Sequence, residues 1–243
     1  MTDEYARQTV GALVAAHPEL ARVFERLKID YCCGGKRTLA EACAERGLDL
    51  PQVADELQQA AAQPDKTLVD ASALGLAELA DHIEQTHHAY LKRELPRIEA
   101  LTEKVAAAHG QRDPRLVALR KTFLDFQAEL VSHMLKEERV LFPMLRLLAR
   151  SEHPVALHCG SLAHPIRVME CEHDQAAAAL ARFRQWTDGF TPPPDACGTL
   201  QALYHALAEL EADMHQHVHK ENNVLFPRAV AREAELAGAA QHG

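Results

Sequence analysis

Aromatic side chains are scarce in this chain, at 5% of 243 residues, and β-branched residues are not prominent beside Ala and Leu. That balance argues against sheets, whose faces are built from β-branched and aromatic residues, and favours an all-α fold. An excess of positive charge is also missing. The formal net charge is -9, and a phosphate backbone wants a basic face, so no nucleic acid partner is expected. No apolar run approaches the length that crosses a bilayer, so no membrane is expected either. The opening Met1-Thr2-Asp3-Glu4-Tyr5 is polar and acidic, unlike a secretory leader, which points to a cytoplasmic protein. In that setting the six cysteines (Cys32, Cys33, Cys43, Cys159, Cys171, Cys197) are expected as thiols rather than disulfides.

Histidine is plentiful, at fifteen, and its spacing is informative. One stretch occurs twice. It runs first as His133-Met134-Leu135-Lys136-Glu137-Glu138-Arg139-Val140-Leu141-Phe142-Pro143. It returns as His217-Val218-His219-Lys220-Glu221-Asn222-Asn223-Val224-Leu225-Phe226-Pro227, offset by 84 residues. The shared skeleton is His-x-x-Lys-Glu-x-x-Val-Leu-Phe-Pro. On a helix a spacing of four puts His and Glu on one face, one turn apart, where both can reach one metal ion or two adjacent ions.

The length suits one main domain and a small one. Residues 1–62 read as a small N-terminal helical domain. Val10, Leu13 and Val14, then Leu20, Val23, Phe24 and Leu27, predict two short helices broken near His17-Pro18. Thr38-Leu39-Ala40-Glu41 is a capping box, so a third helix starts at Leu39 and stops at Gly47, and a fourth begins near Pro51. Residues 63–75, with Pro64, Asp65 and Ser72, read as a linker. Residues 76–237 then hold four long helical segments, roughly 76–109, 114–150, 162–188 and 196–236.

Apolar residues recur at steps of three and four along these segments. Phe123, Phe126, Leu130, His133, Glu137, Val140 and Met144 form one inward stripe, and Leu200, Leu203, Leu207, Leu210, Met214, His217, Glu221 and Val224 another. The His–Glu pairs therefore occupy core positions, where an unpaired carboxylate is costly and needs an explanation. His173 shares a stripe with Ile166, Met169, Ala177 and Leu180. His88 shares one with Leu91, Leu95 and Ile98, whereas His87 belongs to an adjacent stripe with Leu76, Leu79, Ile83 and Tyr90. Periodicity leaves that choice open. The intervals from His88 to His133 (45 residues) and from His173 to His217 (44 residues) suggest two similar hairpins. Four imidazoles and two carboxylates are too many for one zinc ion and suit two metals, iron or manganese before zinc on ligand type. Glu129, one turn before His133, and Glu172, beside His173, are candidates to orient an imidazole from behind. His82, His109, His153, His158, His164, His205, His215 and His219 lack such a context and read as surface or helix-end groups.

Asp30-Tyr31-Cys32-Cys33-Gly34-Gly35-Lys36 is the second constellation. Lys36, Arg37 and the start of a capped helix favour thiolate, so Cys32 or Cys33 could serve in redox exchange or transfer. Adjacent cysteines cannot form an unstrained disulfide with each other.

Asp-Tyr-Cys-Cys-Gly-Gly-Lys together with the duplicated His-x3-Glu…Leu-Phe-Pro resembles the iron-sulfur cluster repair di-iron proteins (the RIC, YtfE or ScdA family) over nearly the whole chain. Val168-Met169-Glu170-Cys171-Glu172-His173-Asp174 is a further part of the likeness. The resemblance implies a short N-terminal helical domain followed by a hemerythrin-like four-helix bundle. It implies two non-haem iron ions, oxo-bridged, held by His88, His133, Glu137, His173, His217 and Glu221, with both glutamates bridging. It favours His88 over His87 through Leu95-Pro96. The implied function is repair of iron–sulfur clusters damaged by nitrosative or oxidative stress, by supplying iron. The alternatives are a di-iron nitric oxide reductase or a hemerythrin-like O2 or NO binder. The implied partners are damaged iron–sulfur proteins and small ligands, with a homodimer as a further option through the Cys-Cys module.

Overall fold

The computed structural model describes residues 2–63, 65, 68–157 and 159–239; Pro64 and His158 lie outside them. The fold is all-α. Near the N-terminus lie α1 (Thr2–Arg7), α2 (Val10–Ala16), α3 (Ala21–Leu27), α4 (Leu39–Arg46) and α5 (Leu50–Ala61). Next come α6 (Leu76–Ile83), α7 (Ala89–His109), α8 (Pro114–Lys136) and α9 (Phe142–Arg150). The series ends with α10 (Ala163–Trp186), α11 (Gly198–His219) and α12 (Phe226–Ala239). Among the described residues no helix is long and apolar enough to cross a membrane.

The caps anticipated from sequence set the local boundaries. Thr38 Oγ1 accepts from Glu41 N at 3.2 Å, and Glu41 Oε2 accepts from Thr38 N at 2.8 Å, which closes both halves of the box. Gly47 ends α4 in the left-handed region at φ 64°, where a side chain would be strained. Asp49 caps α5 by accepting from Gln52 N at 2.9 Å, with Pro51 in the first turn. The small core of this region is built from Leu13, Leu20, Phe24, Tyr31, Leu39 and Leu57, all buried.

The chain forms two compact units. One draws its described residues from Met1–Ala80, Leu145–Ile166 and His215–Gly243; the other comprises Asp81–Met144 and Arg167–Met214. In the second unit α7 and α8 are joined by a short turn, and Gln127 Nε2 donates to Glu99 Oε2 at 3.0 Å across the pair. Phe183 of α10 packs on Phe123 and Phe126 of α8, with ring centroids 6.0 and 5.7 Å apart. Arg184 of α10 donates to Glu211 of α11 at 3.0 Å. Asp213 of α11 meets His87 at 2.8 Å. Four helices thus close on one another around an apolar interior.

Among the described residues three π-helical turns interrupt the long helices: Glu84–His88 between α6 and α7, Glu137–Leu141 between α8 and α9, and Lys220–Leu225 between α11 and α12. Each π turn adds a residue and rotates the downstream helix by about 100°. This corrects the sequence-derived stripe at one position. Val140 is 41% exposed, whereas Leu141 is 2% exposed; the added residue moves the inward phase from 140 to 141. His87 and His88 both lie in such a turn. Leu79 and Ile83 line the interior before the turn, Leu91, Leu95 and Ile98 line it afterwards, and both histidines between them are buried.

Replacing Leu141 with Ala should therefore destabilise the protein by about 2–4 kcal/mol, whereas Val140→Ala should stay within about 0.5 kcal/mol. Urea unfolding of the two variants checks this, and the opposite order would return the inward stripe to Val140.

Candidate metal centre

The second unit gathers His88, His133, Glu137 and His173. Glu137 opens its π turn and is fully buried. His88 Nε2 and His133 Nε2 each lie 3.3 Å from Glu137 Oε2, and His133 Nε2 lies 3.1 Å from His173 Nε2. His133, Glu137 and His173 present ligand atoms that all fall within 4.8 Å of one another. In the first unit His217 and Glu221 repeat the pairing, with Nε2 and Oε1 3.0 Å apart and both side chains buried. The two His–Glu pairs thus sit on equivalent ground, each Glu in a π turn directly after a helix that ends near its His.

A second layer of carboxylates holds the imidazoles from behind. Glu138 Oε1 is 2.9 Å from His88 Nδ1, and Lys92 Nζ is 2.6 Å from the same oxygen. Glu172 Oε2 is 2.8 Å from His133 Nδ1, and Lys136 bonds its other oxygen. Partial burial acts to raise both carboxyls. The lysine and histidine around each outweigh that effect and hold Glu138 and Glu172 below the usual carboxylate range. An ionised carboxylate accepts the Nδ1–H and leaves the Nε2 lone pair directed at the cluster. His88 and His133 thereby turn their Nε2 atoms to Glu137.

This geometry separates the sequence candidates. His87 turns its Nδ1 to Asp213 and His88 turns its Nε2 to Glu137. Glu172 lies behind His133, on the helix opposite. Glu129 is exposed and, among the described residues, makes no hydrogen bond to an imidazole; it borders a cavity of about 330 Å³ that also touches His133, His173, Lys136 and Glu172. Glu138 was missed by sequence reasoning, although its place beside Glu137 resembles that of Glu172 beside His173. His219, read from sequence as a surface group, is buried, with its Nδ1 3.4 Å from the carbonyl oxygen of Tyr31.

The donors fit a metal. Glu137 is completely buried, yet neither carboxylate oxygen accepts a hydrogen bond among the described residues. A carboxylate so placed is costly unless a cation offsets its charge. Imidazole and carboxylate together suit iron or manganese, with zinc also compatible. A metal here would rest on the Nε2 atoms and the Glu137 oxygens, with Glu138 and Glu172 fixing the imidazoles.

Cys32 and Cys33 lie in the first unit and differ from each other. All six cysteines are free thiols. Cys32 is buried and its Sγ donates to Asp30 Oδ1 at 3.2 Å, whereas Cys33 is half-buried. Hydrogen bonding with Cys33, burial and the Asp30 charge push the Cys32 thiol well above its ordinary value. Arg37, one of the charges near the thiols, pairs with Glu45 and with Asp30, which also accepts from Cys32 Sγ.

Comparison with known proteins agrees with this arrangement. Residues 79–229 match the Hemerythrin HHE cation binding domain, and residues 6–61 match ScdA_N, a domain of unknown function (DUF542). The chain is 40% identical over 230 residues to the iron-sulfur cluster repair protein YtfE of Escherichia coli O157:H7, covering 94% of this chain and 99% of the relative. It is 39% identical, with the same coverage, to the proteins of that name from Escherichia coli O1:K1 and Escherichia fergusonii.

Glu172→Gln and Glu138→Gln should each weaken divalent metal binding by about ten- to a hundredfold, while Glu129→Gln leaves it unchanged. Competition titration against a coloured chelator reads these affinities. Equal affinities across the three variants would deny the two carboxylates their orienting part.

Proposed function

Because this chain belongs to the iron-sulfur cluster repair family and carries its hemerythrin HHE cation binding domain, we propose that it supplies iron to clusters damaged by nitrosative or oxidative stress. His88, His133, Glu137, His173, His217 and Glu221 are the residues that would hold two non-haem iron ions. The observation that carries this reading is the fully buried Glu137 carboxylate with imidazole nitrogens 3.3 Å from its Oε2. The second His–Glu pair, equally buried, repeats the same donor types.

Iron in such a centre supplies redox chemistry and a transferable ion. The protein's contribution is to hold it without trapping it. Carboxylate and imidazole donors must be deprotonated to bind, so protonation loosens the ion, which suits release to an acceptor. Glu138 and Glu172 keep two imidazoles aligned while the ion departs, so the site is ready to refill. The 330 Å³ cavity beside His133 and His173 gives small molecules a route to the edge of those rings. Damaged iron–sulfur proteins are the acceptors, and the setting is the cytoplasm, where the six free thiols are stable.

Iron-loaded protein should restore activity to a dehydratase whose cluster has been broken by nitric oxide, and Glu137→Leu/Glu221→Leu protein should not. Metal analysis of the same samples should find two irons per chain, with an oxo-bridge absorption band, in the native protein alone. Equal restoration by both proteins would end the iron-donor reading.

A further inference from the structure

Asn223 joins the Cys32–Cys33 loop to the turn that carries Glu221. It lies in the π turn Lys220–Leu225, two residues beyond Glu221. Its Nδ2 donates to the carbonyl oxygens of Tyr31 at 3.2 Å and Cys32 at 2.9 Å. Its Oδ1 sits in a notch between two glycines, where a Cβ on Gly11 or Gly35 would stand 2.3 or 2.2 Å away. The same Cβ atoms would meet backbone as well, Gly35 O at 2.9 Å from Gly11 and Tyr31 O at 2.7 Å from Gly35, so this close packing requires glycine. The helix reinforces the seat at two further points. Gln216 Nε2 donates to Tyr31 Oη at 2.9 Å, and the His219 ring packs against the Tyr31 ring at 5.4 Å.

The loop has an internal frame of its own. Asp30 accepts from Cys32 N at 3.0 Å, from Cys32 Sγ at 3.2 Å and from Gly34 N at 2.9 Å. The outcome is a Cys32 side chain that is 6% exposed beside a more accessible Cys33. Nothing in metal binding itself calls for an amide at 223 or for glycine at 11 and 35. Their common effect is to make one short turn hold a carboxylate against His217 and an amide in the thiol loop. A π turn is a local departure from helical register, and relaxing it rotates everything beyond it. Glu221 and Asn223 share that turn, so a movement of the turn acts on both.

We propose that Asn223 is a positioning residue that ties the burial of Cys32 to the seating of Glu221, so that the Cys32–Cys33 loop opens when the ligand turn gives up its metal. This rests on the reading of Glu221 as an iron ligand. Linkage makes the coupling reciprocal: metal at the turn protects the thiol, and a modified, opened loop weakens the metal.

The test is alkylation of the full chain with iodoacetamide, read residue by residue by mass spectrometry, on iron-loaded and chelator-stripped protein. Cys171 and Cys197, both exposed, report the intrinsic rate. In the native chain, stripping iron should raise the Cys32 rate about tenfold, the order expected when one or two hydrogen bonds are lost. Asn223→Ala should react at the faster rate in both states. Gln216→Ala, which spares the amide clamp, should keep the iron dependence, and circular dichroism should show equal helix in all three proteins. A Cys32 rate indifferent to iron, in native protein whose iron band is present and lost on chelation, overturns the inference and leaves the iron reading intact. A chain that takes up no iron overturns that reading instead. Equal Cys32 rates in native and Asn223→Ala protein overturn the clamp in either case.

Discussion

A fully buried carboxylate among imidazoles is the constraint to which the rest of this protein answers. Glu137 has no exposed surface, and an ionised group so placed costs several kcal/mol unless opposite charge and good geometry offset it. His88 and His133 approach one of its oxygens, and each is turned by a carboxylate on its far side. Those outer carboxylates are in turn neutralised by Lys92 and Lys136 at the protein surface. Charge therefore alternates outward in layers, from the buried centre through imidazole and carboxylate to lysine. A cation at the middle completes that alternation.

The π turns are how an ordinary helix meets this demand. Each sets polar donors between apolar stretches of helix. Glu137 begins one such turn, Glu221 lies in another and His88 ends a third. Inserted turns of this kind cost helix hydrogen bonding and are retained where a site requires them. The turn that carries Glu221 also carries Asn223, which bonds the Cys32–Cys33 loop; that loop and the C-terminal His–Glu pair fall in the same compact unit despite lying at opposite ends of the chain.

Much of this was legible from residue order. The four long helical segments, the capping box at Thr38 and the inward faces of α8 and α11 follow from period and turn chemistry, which are local properties. The two His-x3-Glu repeats were visible as polar residues where leucine was due. Period alone left His87 and His88 open, because a fixed period of 3.6 cannot anticipate an inserted residue, and only the family likeness favoured His88. Val140 was misjudged for the same reason. Glu138, Lys92 and the buried His219 were not visible either, since each acquires its part only from a residue on another helix or loop.

The sequence by itself determined the helices, their apolar faces and the donor types set into them, because these depend on neighbours within a turn or two. Only the tertiary structure decided which imidazole faces Glu137, which carboxylate stands behind it, and which of two adjacent cysteines is shut away. Those outcomes depend on distances of about 3 Å between segments far apart in the chain, where a single inserted residue redirects every side chain downstream of it.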